Sequence, residues 1–74
     1  MATHRLDAKG LVCPLPVLRA RKMLGVLPSG DRLEVEATDP SAEKDFAAFC
    51  EASGNALVEM RREPGLLSFV IEKR

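Results

Sequence analysis

Tryptophan and tyrosine are absent from this 74-residue chain, and its only aromatic residues are three phenylalanines. Proteins that read single-stranded nucleic acid use stacking aromatics set along a basic groove. This chain has neither: eleven Lys and Arg balance eleven Asp and Glu, so the net field draws in neither nucleic acid nor an anionic membrane. No apolar run approaches the roughly 20 residues that span a bilayer. None follows Met1-Ala2-Thr3-His4-Arg5 as a signal peptide would require, and a cytoplasmic protein is expected. Two cysteines, Cys13 and Cys50, are too few for the disulfide framework of a small secreted domain. There is no Cys-x-x-Cys, and the single histidine, His4, lies near the N-terminus, so neither a metal site nor a cofactor is expected. No glycine-rich phosphate loop occurs. Linkers, internal repeats and low-complexity segments are also missing, and the length suits one core, a single domain over residues 1–74.

What is present is regular patterning, with 46% apolar and 30% charged residues, a globular balance. His4-Arg5-Leu6-Asp7-Ala8 alternates polar and apolar and predicts a short strand with Leu6 and Ala8 inward. Val17, Ala20, Leu24 and Leu27 share one face of a helical wheel, with Arg19 and Lys22 opposite; Gly25 and Pro28-Ser29-Gly30 end that helix. Asp31 to Ala37 alternates cleanly, with Leu33, Val35 and Ala37 on one side. Asp39-Pro40 reads as a second helix start, or alternatively Asp45 caps the helix proper. Phe46, Phe49, Cys50 and Ser53 follow at helical spacing before Gly54, a plausible C′ residue. Asn55 to Arg62 predicts a third strand with Ala56, Val58 and Met60 on one face. Glu63-Pro64-Gly65 predicts a hairpin turn, and Leu66 to Glu72 a fourth strand with Leu67, Phe69 and Ile71 inward. Strands apolar on one face require a sheet covered on one side only. The expected fold is therefore a two-layer α/β sandwich, β-α-β-α-β-β, with a four-stranded mixed sheet and two helices on one face.

The stretch Gly10-Leu11-Val12-Cys13-Pro14-Leu15-Pro16 carries the chemistry. Proline is tolerated in a first helical turn, where the backbone N–H has no intrahelical partner to lose. Pro14 and Pro16 fit a helix beginning just after Cys13, with Cys13 at the N-cap, although Pro16 disfavours α geometry at Leu15. A thiol there feels the positive end of the helix dipole, which favours thiolate, and the N–H groups of Leu15 and Val17 are left to face a sulfur anion. This pattern suits a nucleophile or sulfur carrier; the competing reading is a small buried hydrophobe.

Leu6-Asp7-x-x-Gly10-Leu11-x-Cys13-Pro14-x-Pro16 resembles the signature of the TusA/SirA-like sulfur carriers. The likeness continues through Asp39-Pro40, Lys44-Asp45-Phe46 and Phe49-Cys50 to Ile71-Glu72-Lys73-Arg74. The resemblance implies a two-layer α/β sandwich and a catalytic Cys13 that relays persulfide sulfur, with Gly10, Pro14 and Pro16 supporting the motif. The implied partners are a cysteine desulfurase or rhodanese-like donor and a downstream acceptor protein, in tRNA thiolation, molybdenum-cofactor assembly or sulfur oxidation. Leu15 stands between the prolines where some tRNA-thiolating members have an acidic residue, and Asn55 follows Gly54 where many members have histidine.

Other residues carry weaker signals. Leu15 and Leu18 fall away from the core face beside Arg19 and Lys22, an apolar patch with a basic rim suited to docking donor and acceptor. Cys50 shares a face with Phe46 and Phe49 and reads as core, with a resolving thiol for Cys13 as the alternative. Asp7, Asp39 and Asp45 are each explained by a strand edge or a cap. Two other classes remain open on the residues alone: a small regulatory or RNA-binding module in which Cys13 is structural, and a thiol redox protein using Cys13 and Cys50. A carrier that presents one thiol to two partners in turn is most simply a monomer.

Overall fold

Alternation of apolar and charged residues sets the two faces of β2, at the centre of the chain. The computed structural model describes residues 2–74. Its elements are β1 (Thr3–Ala8), α1 (Leu15–Leu24), β2 (Arg32–Ala37), α2 (Ala42–Ser53), β3 (Ala56–Glu63) and β4 (Leu66–Glu72). The sheet order is β1-β2-β4-β3. β1 and β2 are parallel, whereas β4 is antiparallel to both β2 and β3. Rows of paired residues run across the sheet. Leu6, Val35, Phe69 and Met60 form one, and His4, Leu33, Ile71 and Leu57 another, both facing the helices. The intervening row of Arg5, Glu34, Val70 and Glu59 lies on the opposite face, where Arg5 Nε donates to Glu34 Oε1 at 3.2 Å.

Both helices cover the same face. Ala20 and Leu24 of α1 and Ala42, Phe46 and Cys50 of α2 join Ala8, Leu33, Val35, Ala37, Phe69 and Ile71 in one buried cluster. Phe46 and Phe69 meet with ring centroids 4.6 Å apart. Each such large side chain contributes about 1.5–3 kcal/mol on burial. The structure is thus the two-layer α/β sandwich that the patterning predicts.

Local details differ from expectation in two places. β3 carries an irregularity between Leu57 and Glu59: Leu57 pairs with Ile71, and Glu59 with Val70. The extra residue, Val58, leaves the pairing and is exposed, while Leu57 and Met60 pack on the core. The expected inward set of Ala56, Val58 and Met60 is corrected accordingly, because a bulge shifts the period-2 pattern by one residue. α2 begins neither at Pro40 nor at Asp45. Ser41 is its N-cap, and Asp45 lies in its first turn, donating its N–H to the Ser41 carbonyl at 3.0 Å. Asp39 supplies the capping chemistry from two residues upstream, Oδ1 accepting both the N–H and the hydroxyl of Ser41 at 3.0 Å. Gly54 ends α2 in the left-handed conformation at φ +80°, as expected of a C′ glycine. α1 ends at Leu24, whose carbonyl accepts Lys73 Nζ at 2.7 Å.

Candidate functional site

Because β1 and β2 are parallel, the loops that follow them leave from the same end of the sheet, the usual place for a site in such folds. Two hydrogen bonds join these loops. The Gly10 N–H donates to Thr38 Oγ1 at 2.9 Å, and the Cys13 N–H donates to Asp39 Oδ2. Gly10 adopts φ +80°, and a Cβ built there would meet nothing within 4 Å. The glycine is therefore required by backbone conformation rather than by space.

Cys13 is not the N-cap. The Cys13–Pro14 peptide is cis, and a turn over these two residues is closed by the Leu15 N–H on the Val12 carbonyl at 2.9 Å. Pro14 then caps α1, its carbonyl accepting the Leu18 N–H at 3.1 Å. Pro16 sits in the first turn and is buried, and Leu15 precedes it as the first helical residue. The thiol thus stands one residue ahead of the expected position. The Leu15 N–H, expected to be free to face sulfur, is already engaged.

The electrostatics also differ from the helix-mouth expectation. The thiol's pKa is raised above its ordinary value of 9.0, chiefly by the Asp45 carboxylate. The Ser41 hydroxyl acts the other way, while desolvation and the charges of Asp45 and Asp39 add to the rise. The expected lowering of the thiol's pKa is reversed, because a second helix and its leading loop bring carboxylates toward the Cys13 loop. Asp39 itself is held below the usual carboxylate range by the Ser41 N–H, the Cys13 N–H and the Ser41 hydroxyl.

Apolar side chains are exposed on the Cys13 loop and on the helix that follows it. Cys13 is exposed, Val12 is 66% accessible, Leu15 40% and Leu18 48%. Leu15 and Leu18, three apart on α1, lie on one side of it, and Arg19 and Lys22 are exposed on the same helix. Among the described residues none of the ion pairs uses Arg19, Lys22, Asp39 or Asp45. Cys50 faces the core with 5% accessibility, and burial pushes its thiol up; both cysteines are free thiols. His4 is at the other end of β1, where Nε2 lies 3.0 Å from Asp31 Oδ2.

Reading the chain residue by residue leaves out the roles of Val12, Thr38 and Ser41, and treats Asp39 and Asp45 only as caps. One signal was available. A parallel β-α-β unit must bring the residues after its two strands together, which puts Thr38-Asp39 beside Gly10–Cys13.

A small α/β sandwich presenting one accessible thiol at the ends of two parallel strands defines the class. The family model of the sulfurtransferase TusA matches residues 4–73, and the chain belongs to that family. It is 53% identical over 70 residues to the sulfur carrier protein TusA of Allochromatium vinosum, covering 95% of this chain and 92% of that one. It is 42% identical over 69 residues to the TusA of Pseudomonas syringae, covering 93% of this chain and 82% of that protein. Among solved structures, the SirA-like protein of Desulfitobacterium hafniense superposes with a TM-score of 0.78 at 28% identity, over 97% of this chain and 96% of that one.

Proposed function

We propose that this protein is a sulfur carrier, with Cys13 as the residue that bears the sulfur. The observation that carries the reading is the exposure of the Cys13 thiol on a family member whose other cysteine is buried in the core. The Cys13 thiolate attacks the outer sulfur of a donor's persulfide; the donor's S–S bond breaks, its cysteine leaves as thiolate, and Cys13 holds the sulfur as Cys-S-SH. An acceptor thiolate repeats the step, taking the outer sulfur and releasing Cys13. Neither step needs an acid–base histidine, since thiolate attack on sulfur is sufficient.

Suitable donors are a cysteine desulfurase or a rhodanese-like protein, and the acceptor is a protein of a tRNA-thiolation, cofactor-assembly or sulfur-oxidation route in the cytoplasm. Leu15 and Leu18, with Arg19 and Lys22 at the rim, form the docking surface, an apolar patch beside unpaired cations. Gly10, Pro14 and Pro16 shape the loop that presents the thiol. Among the described residues no helix is long and apolar enough to cross a membrane.

Intact-mass spectrometry tests the reading, after incubation with a desulfurase plus cysteine or a rhodanese plus thiosulfate. The wild type gains one sulfur atom, removable by reductant, and Cys13→Ser gains none. A wild type that takes up no sulfur from either donor, with Cys13 open to alkylation, would refute it.

A further inference from the structure

β1 is an edge strand: β2 borders it on one side, and no strand borders it on the other. The Arg32 N–H donates to the Ala2 carbonyl at 3.0 Å, while Arg32 itself pairs with Thr3. This sets the parity of the parallel ladder. His4 and Leu6 turn their N–H and carbonyl groups toward β2, and Thr3, Arg5 and Asp7 turn theirs outward. Among the described residues no hydrogen bond engages those outward groups. The opposite edge, β3, is guarded against pairing by its bulge at Val58 and by Glu59, Arg61, Arg62 and Glu63. β1 has no such device. It contains no proline, and its register with β2 runs unbroken from Thr3 to Ala8. The apolar row that crosses the sheet also opens there: Val35 and Phe69 are fully buried, whereas Leu6 at the rim is half-buried.

We propose that two copies of the chain associate through β1, antiparallel about a two-fold axis at Leu6. Arg5 then lies opposite Asp7 of the second copy, Asp7 opposite its Arg5, and Leu6 opposite its Leu6. Arg5 and Asp7 exchange both backbone hydrogen bonds with their counterparts, as directly opposed residues of an antiparallel ladder do. Charge selects this register. The neighbouring registers that keep outward residues opposite outward ones set Arg5 against Arg5 or Asp7 against Asp7, which like charge disfavours. Both side chains have capacity to pair. Arg5 is exposed and is engaged through Nε on Glu34, and Asp7 through Oδ1 on the Lys9 N–H. The two Leu6 side chains join the apolar rows of the two sheets into one. The two-fold makes the interface self-complementary and closes it at two copies. One strand pair buries little area, so the dimer is weak and forms at high concentration. A monomer is the simplest state for a carrier, and this pairing departs from it without setting one thiol against the other. The Cys13 loops follow β1 and so leave from opposite ends of the paired strands. The association does not depend on what Cys13 carries.

Sedimentation equilibrium at low salt measures the association, with a reductant present so that no Cys13 disulfide imitates it. Between about 0.02 and 1 mM the mean mass of the wild type is expected to rise from 8.1 kDa toward twice that value. Over the same range hydrogen exchange should slow several-fold at the Arg5 and Asp7 amides and stay constant in β3. Arg5→Asp places like charges opposite each other and is expected to weaken the dimer by about tenfold. Asp7→Arg should do the same, and the double variant Arg5→Asp/Asp7→Arg should associate again as the wild type does. Circular dichroism establishes that each variant is folded. Asp7 also accepts the Lys9 N–H; should its replacement disturb that turn, Arg5→Asp and the exchange pattern decide. A mass that stays at 8.1 kDa throughout overturns the pairing. So does a dimer that Arg5→Asp leaves intact, or one whose slowed amides lie outside β1.

Discussion

The Asp39 carboxylate accepts the backbone N–H of Cys13 from 26 positions away. The same carboxylate holds Ser41 at the start of α2, so the thiol loop and the second helix are anchored to one side chain. The Asp45 carboxylate and, after it, the charge of Asp39 raise the thiol's pKa above its ordinary value.

The first prediction is a pH profile. A neutral alkylating reagent reacts with the thiolate, so its rate rises with pH toward the thiol's pKa. That midpoint should lie above the ordinary 9.0. Asp45→Asn removes the charge and the anionic acceptor, and is expected to move the midpoint down and speed alkylation near neutral pH. A midpoint at or below that of a short cysteine peptide would contradict the placement of these carboxylates.

Acid stability follows from three other carboxylates. Asp31, facing His4 and the Ala2 N–H, and Glu43, facing Arg62, are held below their ordinary values of 3.8 and 4.5, as is Asp39. A depressed folded pKa means that the unfolded chain binds the proton more readily. The stabilisation is complete above the ordinary value and is lost as pH falls through the depressed one. The melting temperature should therefore drop as pH falls below about 4.5, with a shallower slope in Asp31→Asn. Thermal unfolding followed by circular dichroism across that range checks both.

Leu15→Ala and Leu18→Ala separate docking from folding. Both side chains are roughly half exposed, so each truncation should change stability by no more than about 0.5–1 kcal/mol. Sulfur uptake from a protein donor is expected to slow several-fold, while alkylation of Cys13 by a small neutral reagent stays unchanged. Equal donor kinetics in wild type and both variants would remove these residues from the docking surface.

The bulge in β3 predicts an asymmetry between neighbours. Leu57 packs on the core and Val58 faces solvent. Leu57→Ala should cost about 1–3 kcal/mol, and Val58→Ala within about 0.5 kcal/mol. Urea denaturation of the two variants measures the difference; a reversed order would mean that β3 pairs with β4 in regular register.

Much of the architecture is legible in single segments. β2 alternates without interruption, and the structure buries Leu33, Val35 and Ala37 as that alternation requires; in β4 it buries Phe69 and Ile71, the residues expected inward. Gly54 at φ +80° and Gly65 at φ +73° stop a helix and turn a hairpin where glycine was the residue to expect. β3 is different, because Val58 is as apolar as Leu57 and nothing local distinguishes the residue that leaves the ladder. The bulge shows only in the pairing across the sheet, where Leu57 faces Ile71 and Glu59 faces Val70.

The cysteine shows the same division. The residues themselves single out Cys13: a lone thiol in a glycine- and proline-bounded loop before an amphipathic helix, with the other cysteine on an apolar helical face. Its side-chain exposure and its setting ahead of α1 are largely local, because Pro14 and Pro16 restrict the backbone and Gly10 permits the positive φ of the turn before them. Its charge state is not local. Asp39 and Asp45 are 26 and 32 positions beyond Cys13 in sequence, and only the parallel pairing of β1 with β2 brings the loop after β2, and the helix that follows it, to the thiol. Sequence determined which atom is exposed; tertiary structure decided which charges face it, because Coulomb interactions follow distance in space and take no account of distance along the chain.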